Sequence, residues 1–131
     1  MIVSGATNVA TGIGLVDLAS VTNDFDSDGS GDAVNVASGA LTLHDDNDLV
    51  LGTISSDTTT IGVDGSITQV AGSSVTTGDT VITTTEERST VTLSENVTIT
   101  GGLDLSTENG AIDQTGGSVI VTGQTLSLIH I

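Results

Sequence analysis

The 131-residue chain combines strand-forming residues with a strongly acidic balance: 17 Asp and Glu stand against one Arg and no Lys, for a formal net charge of −16. This charge argues against nucleic acid or anionic membrane as partners, and no apolar run is long enough for membrane insertion. With 23 Thr, 15 Ser, 15 Val, 17 Gly, no Pro and no Cys, the composition favours strands and turns over helices. One aromatic residue, Phe25, could not fill a globular core, so a stacked repeat is favoured.

Short strands are predicted wherever apolar residues alternate with polar ones between Gly and Asp. In chain order they are residues 33–36, 41–43, 49–51, 60–63, 81–83, 90–93, 97–100, 103–105, 118–121 and 125–128. The turn dipeptides Asn-Gly and Asp-Gly are rare in the chain. Because such short strands would need hairpin turns to form an antiparallel sheet, parallel coils are the better prediction.

An internal echo supports this prediction. Residues 65–83 recur 45 positions later as residues 110–128, with eight of 19 positions identical. A fixed period marks stacked units, and 45 residues suit two turns of about 22 each, so we predict one β-helical region over residues 1–131 with about six coils. Ile67 and Ile112 should then point inward on stacked faces two coils apart. Gln69 and Gln114 should share a corner, with their amides hydrogen-bonded to the backbone or to each other.

Several segments of the chain resemble the repeats of filamentous-haemagglutinin-like bacterial adhesins. They are residues 21–25, 33–36, 41–43, 45–52 and 65–69, and the resemblance extends over residues 21–128. It implies a right-handed parallel β-helix, exported by a type V or two-partner route and displayed outside the bacterial cell for adhesion. The implied partner is a protein or glycan on a host or neighbouring cell, and the export signal would lie outside this chain.

An acidic insert is the one candidate metal site. Asp24, Asp26 and Asp28 alternate before Gly29, and Asp32 follows. Oxygen ligands at alternate positions before a glycine are typical of calcium loops, but the twelfth position, which should hold a bidentate Glu, is Asn35. Two hypotheses therefore stand: a calcium-stabilised surface repeat, or an exposed acidic turn without an ion. No other cofactor is expected.

Catalysis is not expected. Arg88 is the only strongly basic side chain, and Glu86 and Glu87 beside it are interpreted as its ion-pair partners on a loop. His44 lies among carboxylates but has no second His or Cys nearby to complete a metal site. The alternative is that the chain is a non-catalytic part of a β-helical enzyme that acts on polysaccharides.

The ends and the threonines give two further expectations. The strand pattern runs to the last residue without a polar closure, so the chain is interpreted as a piece of a longer protein, with residues 126–131 a candidate non-native tail. Uncapped coils predict end-to-end self-association through their strand edges. An ice-binding face is disfavoured, because the Thr pairs that start at positions 58, 83, 90 and 98 share no common period.

Overall fold

The computed structural model describes residues 1–26, 28–123 and 126–130, and these residues form strands, turns and bends but no helix. None of them therefore belongs to a helix long and apolar enough to cross a membrane. The strands are β1 Thr7–Ala10, β2 Leu15–Leu18, β3 Val34–Ala37, β4 Ala40–Asp45, β5 Leu49–Val63, β6 Ile67–Gln69, β7 Val75–Thr84, β8 Val91–Leu93, β9 Val97–Ile99, β10 Leu103–Thr107, β11 Ile112–Gln114, β12 Val119–Val121 and β13 Leu126–His130.

All pairings among these strands are parallel, and they build the three faces of a β-solenoid. Face 1 stacks β1, β3, the middle of β5, the start of β7, β9 and β12. Face 2 stacks β2, β4, the end of β5, the end of β7, β10 and β13. Face 3 stacks the start of β5, β6, β8 and β11. Six strands stacked on face 2 correspond to about five full turns, so the predicted parallel solenoid is confirmed.

The number of residues in one coil of the solenoid varies most between the first coils. On face 1, Thr7 pairs with Val34, and Val34 pairs with Leu51, so the first step between coils is much longer than the second. The later step on this face from Val75 to Val97 is intermediate in length between these two. The long first step contains the acidic insert, which leaves the solenoid shortly before β3.

The core is built from columns of inward side chains, one per coil. Face 1 contributes the column Val9, Val36, Ile54, Val75, Val97 and Val119. Face 2 contributes the column Leu18, Leu43, Ile61, Ile82 and Leu105. Burying one such side chain stabilises the fold by about 1.5–3 kcal/mol, so the columns supply the stability that a wide aromatic core would give a globular domain.

Hydroxyl pairs occupy the corner between faces 1 and 2, inside the solenoid. Ser56 Oγ and Thr59 Oγ1 lie 2.5 Å apart, and one coil further on Thr77 and Thr80 make the same contact. All four side chains are buried. Because each of these four hydroxyls finds its partner in the same corner, these four side chains can point inward without an unmet hydrogen bond.

Asx residues at the corners hold each coil to the next. The side-chain Oδ1 of each accepts a hydrogen bond from a backbone N–H one coil further on, in the pairs Asn35 with Thr53 at 2.8 Å, Asp48 with Ser66 at 2.7 Å, Asp79 with Gly102 at 2.8 Å and Asn96 with Ser118 at 3.1 Å. Glycine lies where the side chain approaches closely: a Cβ on Gly101 would lie 2.2 Å from Asp79 Oδ1. We call these four contacts the corner clamps.

The echo prediction is confirmed on face 3. Ile67 pairs with Val91, and Val91 pairs with Ile112, so the two isoleucines share a column two coils apart. Ile67 is fully buried, and Ile112 packs against the core. Gln69 Oε1 accepts a hydrogen bond from Glu95 N at 3.2 Å, and Gln114 Nε2 donates one to Gly117 O at 3.1 Å, so both amides bond to the backbone.

Candidate functional site

The acidic insert forms a loop at the corner between faces 3 and 1, anchored by the buried ring of Phe25. Asp26, Asp28 and Asp32 each place one carboxylate oxygen within 4.8 Å of the other two. Asp24 does not belong to this group, because it precedes the loop and forms a parallel bridge with Ile2. The structure thus brings together three of the four predicted calcium ligands, within the part of the loop that it describes.

Hydrogen bonds within the loop already hold these carboxylates. Asp26 Oδ2 accepts from Gly31 N at 2.9 Å, Asp28 Oδ1 accepts from Ser30 N at 3.1 Å, and Asp32 Oδ2 accepts from Ser30 Oγ at 2.6 Å. The bonds from Ser30 lower the pKa of Asp28 below its ordinary value. The acidic turn is therefore shaped by its own N–H and O–H donors, and the calcium hypothesis stays a prediction.

Beside the loop lies an acidic groove, a feature that sequence reasoning missed. Its volume is about 740 Å³, and its acidic lining residues are Asp26, Asp46, Asp48 and Glu86. Asp46 and Glu86 also line a shallower depression next to it, together with Asp64 and Thr85. Because these carboxylates come from successive coils, the stacking brings together charges that are far apart in the sequence.

Among the residues that the structure describes, Asp45 is the one carboxylate that points into the core. It lies in the inward column Asp45, Val63 and Thr84 of face 2, and its side chain is 0% exposed. Neither carboxylate oxygen makes a hydrogen bond of ordinary geometry. Burial raises the pKa of Asp45 to about 6; nearby backbone N–H groups of Asn47 and Phe25 offset this in part, and the Asp24 carboxylate adds to it. Its position after Leu41 and Leu43 in the alternation of β4 is the signal that could have revealed it.

The basic side chains His44 and Arg88 differ in their carboxylate neighbours. His44 Nε2 is 3.6 Å from Asp64 Oδ1, which gives His44 one carboxylate neighbour. The expected ion pairs of Arg88 with Glu86 and Glu87 are wrong: among the described residues, the contact of His44 with Asp64 is the only one within 4.0 Å between a basic and an acidic side chain. Arg88 instead occupies a tight turn at φ 73°, where its backbone N–H bonds to Glu108 O at 2.9 Å.

The threonine pairs do not stack on a single face of the solenoid. The pair at 58 and 60 lies on face 2, the pair at 90 and 92 belongs to face 3, and the pair at 98 and 100 belongs to face 1. On face 2 the outward column runs Asp17, Thr42, Thr60, Val81 and Asp104, so threonine is interrupted. The sequence argument against a regular threonine face is confirmed.

Part of the chain is similar to a known protein family. Residues 38–97 match a family described as repeats of unknown function, DUF5649. The matched segment covers 60 of the 131 residues, from the end of the second coil's face 1 to the start of β9. Neither the curated proteins nor the solved structures gave a match. The chain is a repeat protein with a β-solenoid fold.

Proposed function

We propose that the chain is a rigid stalk segment of a bacterial cell-surface adhesin and performs no catalysis. The observation that carries this proposal is the unbroken stack of six parallel strands on face 2 above a continuous core. The adhesin role rests on the resemblance of residues 21–128 to filamentous-haemagglutinin-like repeats.

A stack of this kind is stiff along its axis. Neighbouring strands are about 4.8 Å apart, so five steps span about 24 Å, and every step repeats the same backbone ladder and core columns. The corner clamps add a bond between successive coils at Asn35, Asp48, Asp79 and Asn96. Length can therefore grow by adding coils, while the cross-section stays the same.

The sides of the solenoid offer polar contacts to a partner. The outward column of face 1 reads Ala10, Ala37, Ser55, Thr76, Thr98 and Ile120, and face 2 adds Asp17 and Asp104 to its threonines. Hydroxyl and carboxylate groups on a fixed backbone suit hydrogen bonding to a glycan or to a protein surface. The partner class that we propose is therefore a glycan or protein on a host or neighbouring cell.

The stalk role is tested by lengthening the chain. A second copy of residues 65–109 inserted after Asn109 adds one full echo period, the spacing that separates Ile67 from Ile112 on face 3. We expect two additional coils and a rod longer by about 10 Å, measured by small-angle X-ray scattering. An unchanged length, or a loss of the β signal in circular dichroism, would contradict a modular stalk.

Adhesion is tested with the labelled chain. We expect it to bind cells in flow cytometry more strongly than an unrelated protein of equal size and net charge. Treating the cells with glycosidases or with protease then assigns the partner to glycan or protein. Binding no stronger than that of the charge-matched control would exclude an adhesive surface on this segment.

The absence of catalysis is a separate expectation. Arg88 is exposed on a turn, and described carboxylates lie at more than one corner of the solenoid. We expect no turnover of an acidic polysaccharide by the purified chain. Turnover that disappears in Arg88→Ala would refute the expectation.

A further inference from the structure

One asparagine of the chain lies in an acceptor sequence for N-linked sugars. The chain has six Asn residues, and only Asn96 is followed two positions later by Ser or Thr, in the triplet Asn96-Val97-Thr98. N-linked glycosylation requires Asn-x-Ser/Thr with x other than Pro. Because the chain contains 23 Thr and 15 Ser, one such triplet is expected by chance, so its placement in the fold decides its meaning.

The fold leaves the side-chain nitrogen of Asn96 available. Asn96 is exposed at the corner between faces 3 and 1, directly before β9. Its Oδ1 accepts hydrogen bonds from Ser118 N at 3.1 Å and from Ser118 Oγ at 3.2 Å. Because a backbone N–H can only donate, the amide oxygen faces Ser118 and Nδ2 lies on the other side of the amide. Nδ2 is the atom to which a sugar is joined, and it bonds to no residue that the structure describes.

The neighbours of Asn96 along the solenoid axis are small. Strand β9 pairs with β7 on one side and with β12 on the other, in a register that flanks Asn96 by Ser74 and Ser118. Both serines are exposed. The longer side chain of Glu95 accepts a hydrogen bond from Gly72 N at 3.1 Å, which ties it to the preceding coil. A glycan on Nδ2 can therefore leave the corner without displacing a packed side chain.

The hydroxyl of the triplet lies on the same side of the backbone as the Asn96 amide. Side chains two positions apart in an extended strand share a face, and Val97 between them is buried in the core. Thr98 is half-buried in the outward column of face 1. The fold thus presents the amide and the hydroxyl together on the outside of the solenoid.

An earlier coil carries the same arrangement without the hydroxyl. Asn35 precedes the inward valine of β3, in the column of face 1 to which Val97 also belongs. Its Oδ1 accepts a hydrogen bond from Thr53 N at 2.8 Å, which is a corner clamp of the same kind. Two residues later, Ala37 lies in the outward column where β9 has Thr98. Asn35 is therefore a matched position from which the hydroxyl is missing.

We propose that Asn96 is an acceptor for an N-linked glycan, transferred from a nucleoside diphosphate sugar by a glycosyltransferase. In the transfer, a bond forms between Asn96 Nδ2 and the anomeric carbon of the sugar, and the bond from that carbon to the donor's phosphate oxygen breaks. The nucleoside diphosphate leaves with the electron pair, and the amide proton goes to a base of the transferase. Oδ1 remains a carbonyl oxygen that accepts from Ser118, so the corner clamp is retained. The inference does not depend on the adhesin role.

Transfer to the purified, folded chain tests the proposal. The chain is incubated with UDP-glucose and a soluble N-glycosyltransferase that recognises Asn-x-Ser/Thr, and intact-mass spectrometry counts the hexoses added. We expect one hexose, mapped to Asn96 by fragmentation, and none on Asn96→Gln or Thr98→Val. Because Thr98→Val retains the corner clamp, its loss of transfer reports the hydroxyl and not a disturbed fold. Thr98→Ser should still accept the hexose.

The matched position gives a gain of modification. Ala37→Thr completes an acceptor triplet at Asn35, so this variant should carry a second hexose, on Asn35. The singly glycosylated chain should melt at the temperature of the unmodified chain, because the Oδ1 bond to Ser118 is unchanged.

Two results would overturn the proposal. The first is a folded chain that takes no hexose; a peptide of residues 92–102 in the same reaction then shows whether the fold or the sequence prevents transfer. The second is a hexose that persists in Asn96→Gln, which would place the modification on another residue.

Discussion

Asp45 shows how strongly one residue's chemistry depends on the face it occupies. Asp46 and Asp48, close to it in sequence, are exposed, whereas Asp45 occupies an inward position above which Val63 and Thr84 stack. Taking a carboxylate out of water without ordinary hydrogen bonds favours its neutral form. The pKa of about 6 therefore makes Asp45 a group whose protonation is linked to folding.

This link between protonation and folding predicts that the free energy of unfolding depends on pH. An unfolded Asp titrates near pH 4, so between about pH 4 and pH 6 the folded chain holds a proton that the unfolded chain has lost. The stabilisation from this proton is fully present below pH 4 and is lost as the pH rises through 6. Asp45→Asn should remove this loss and raise the free energy of unfolding at pH 7 by about 3 kcal/mol.

Urea denaturation at pH 4.5 and pH 7.5 measures the effect, with Asp104→Asn as the control, because Asp104 is exposed on the outer side of face 2. The difference between the two variants should grow as the pH rises. Equal pH profiles for Asp45→Asn and the unchanged chain would show that the buried carboxylate does not titrate in this range.

The acidic loop gives a second prediction at this scale. Three carboxylate oxygens within 4.8 Å of one another repel, and a divalent cation would relieve that repulsion. Millimolar calcium should then raise the melting temperature above its value in sodium chloride of equal ionic strength, since a ligand bound only by the folded state stabilises that state. The double variant Asp26→Asn, Asp28→Asn should lose the increment. Identical melting curves in calcium and in chelator would contradict calcium binding. The acidic loop would then be a turn held by hydrogen bonds from Ser30 and Gly31.

Among the structural elements, the corner clamps explain why Asx and Gly recur at the turns. Asp79 Oδ1 accepts the N–H of Gly102, and the absence of a Cβ on Gly101 lets the two coils approach. Without the carboxylate, this N–H must find water or remain unbonded. Each clamp therefore fixes the distance between two coils at a point where no strand pairs.

Asp79→Ala should lower the free energy of unfolding by about 1 kcal/mol, the typical net value of one hydrogen bond at a partly solvated position. Asp104→Ala removes the same charge from a strand position with no side-chain bond among the described residues and should change stability little. Thermal melts of both variants in one buffer make the comparison. A loss of equal size in both would mean that charge, and not the clamp, determines the effect.

The sequence predicts the fold better than the register. The echo places Ile67 and Ile112 correctly, because face 3 repeats at the echo period. On face 1, however, Val75 shares its column with Val119, one position short of that period. The ungapped echo pairs Val75 with Ile120, which points outward. Because side chains alternate, a slip by a single position exchanges inside and outside, and sequence identity alone could not detect it.

The predicted strand boundaries differ from those in the structure for another physical reason. The middle of β5 was not predicted, because Ser56 and Thr59 point inward and look polar in an alternation of apolar residues. Their mutual hydrogen bond makes this possible, and a partner so close along the chain is invisible to a test of hydrophobic period. The first coil, with β1 and β2, was also missed. The paired carboxylates of the loop were predicted from spacing, whereas the groove needed the stacking of coils.

At the scale of the whole molecule, the charge distribution should govern stability. Seventeen acidic side chains against one Arg are distributed over stacked coils whose strands lie about 4.8 Å apart. Repulsion over these distances is only weakly screened in dilute salt, where the Debye length is about 30 Å, and is screened more at 0.15 M, where it is about 8 Å.

Sodium chloride should therefore stabilise the fold. Raising its concentration from about 10 to about 150 mM at pH 7.5 should add about 1 kcal/mol, or about 4 °C in melting temperature. Differential scanning calorimetry at low protein concentration separates this effect from association of the ends. A melting temperature that falls with salt would mean that attraction between opposite charges outweighs the repulsion.

The unequal length of the early coils indicates where a foreign peptide could be inserted into the chain. The first step on face 1 is much longer than the second, yet Val9, Val36 and Ile54 remain in one column. Extra residues at this corner lengthen the path of one coil around the solenoid, and they do not change how the coils stack along the solenoid axis. A foreign peptide grafted between Asp28 and Ser30 would thus be displayed without shifting any strand, whereas deleting one residue inside β4 would reverse the inward alternation of that strand.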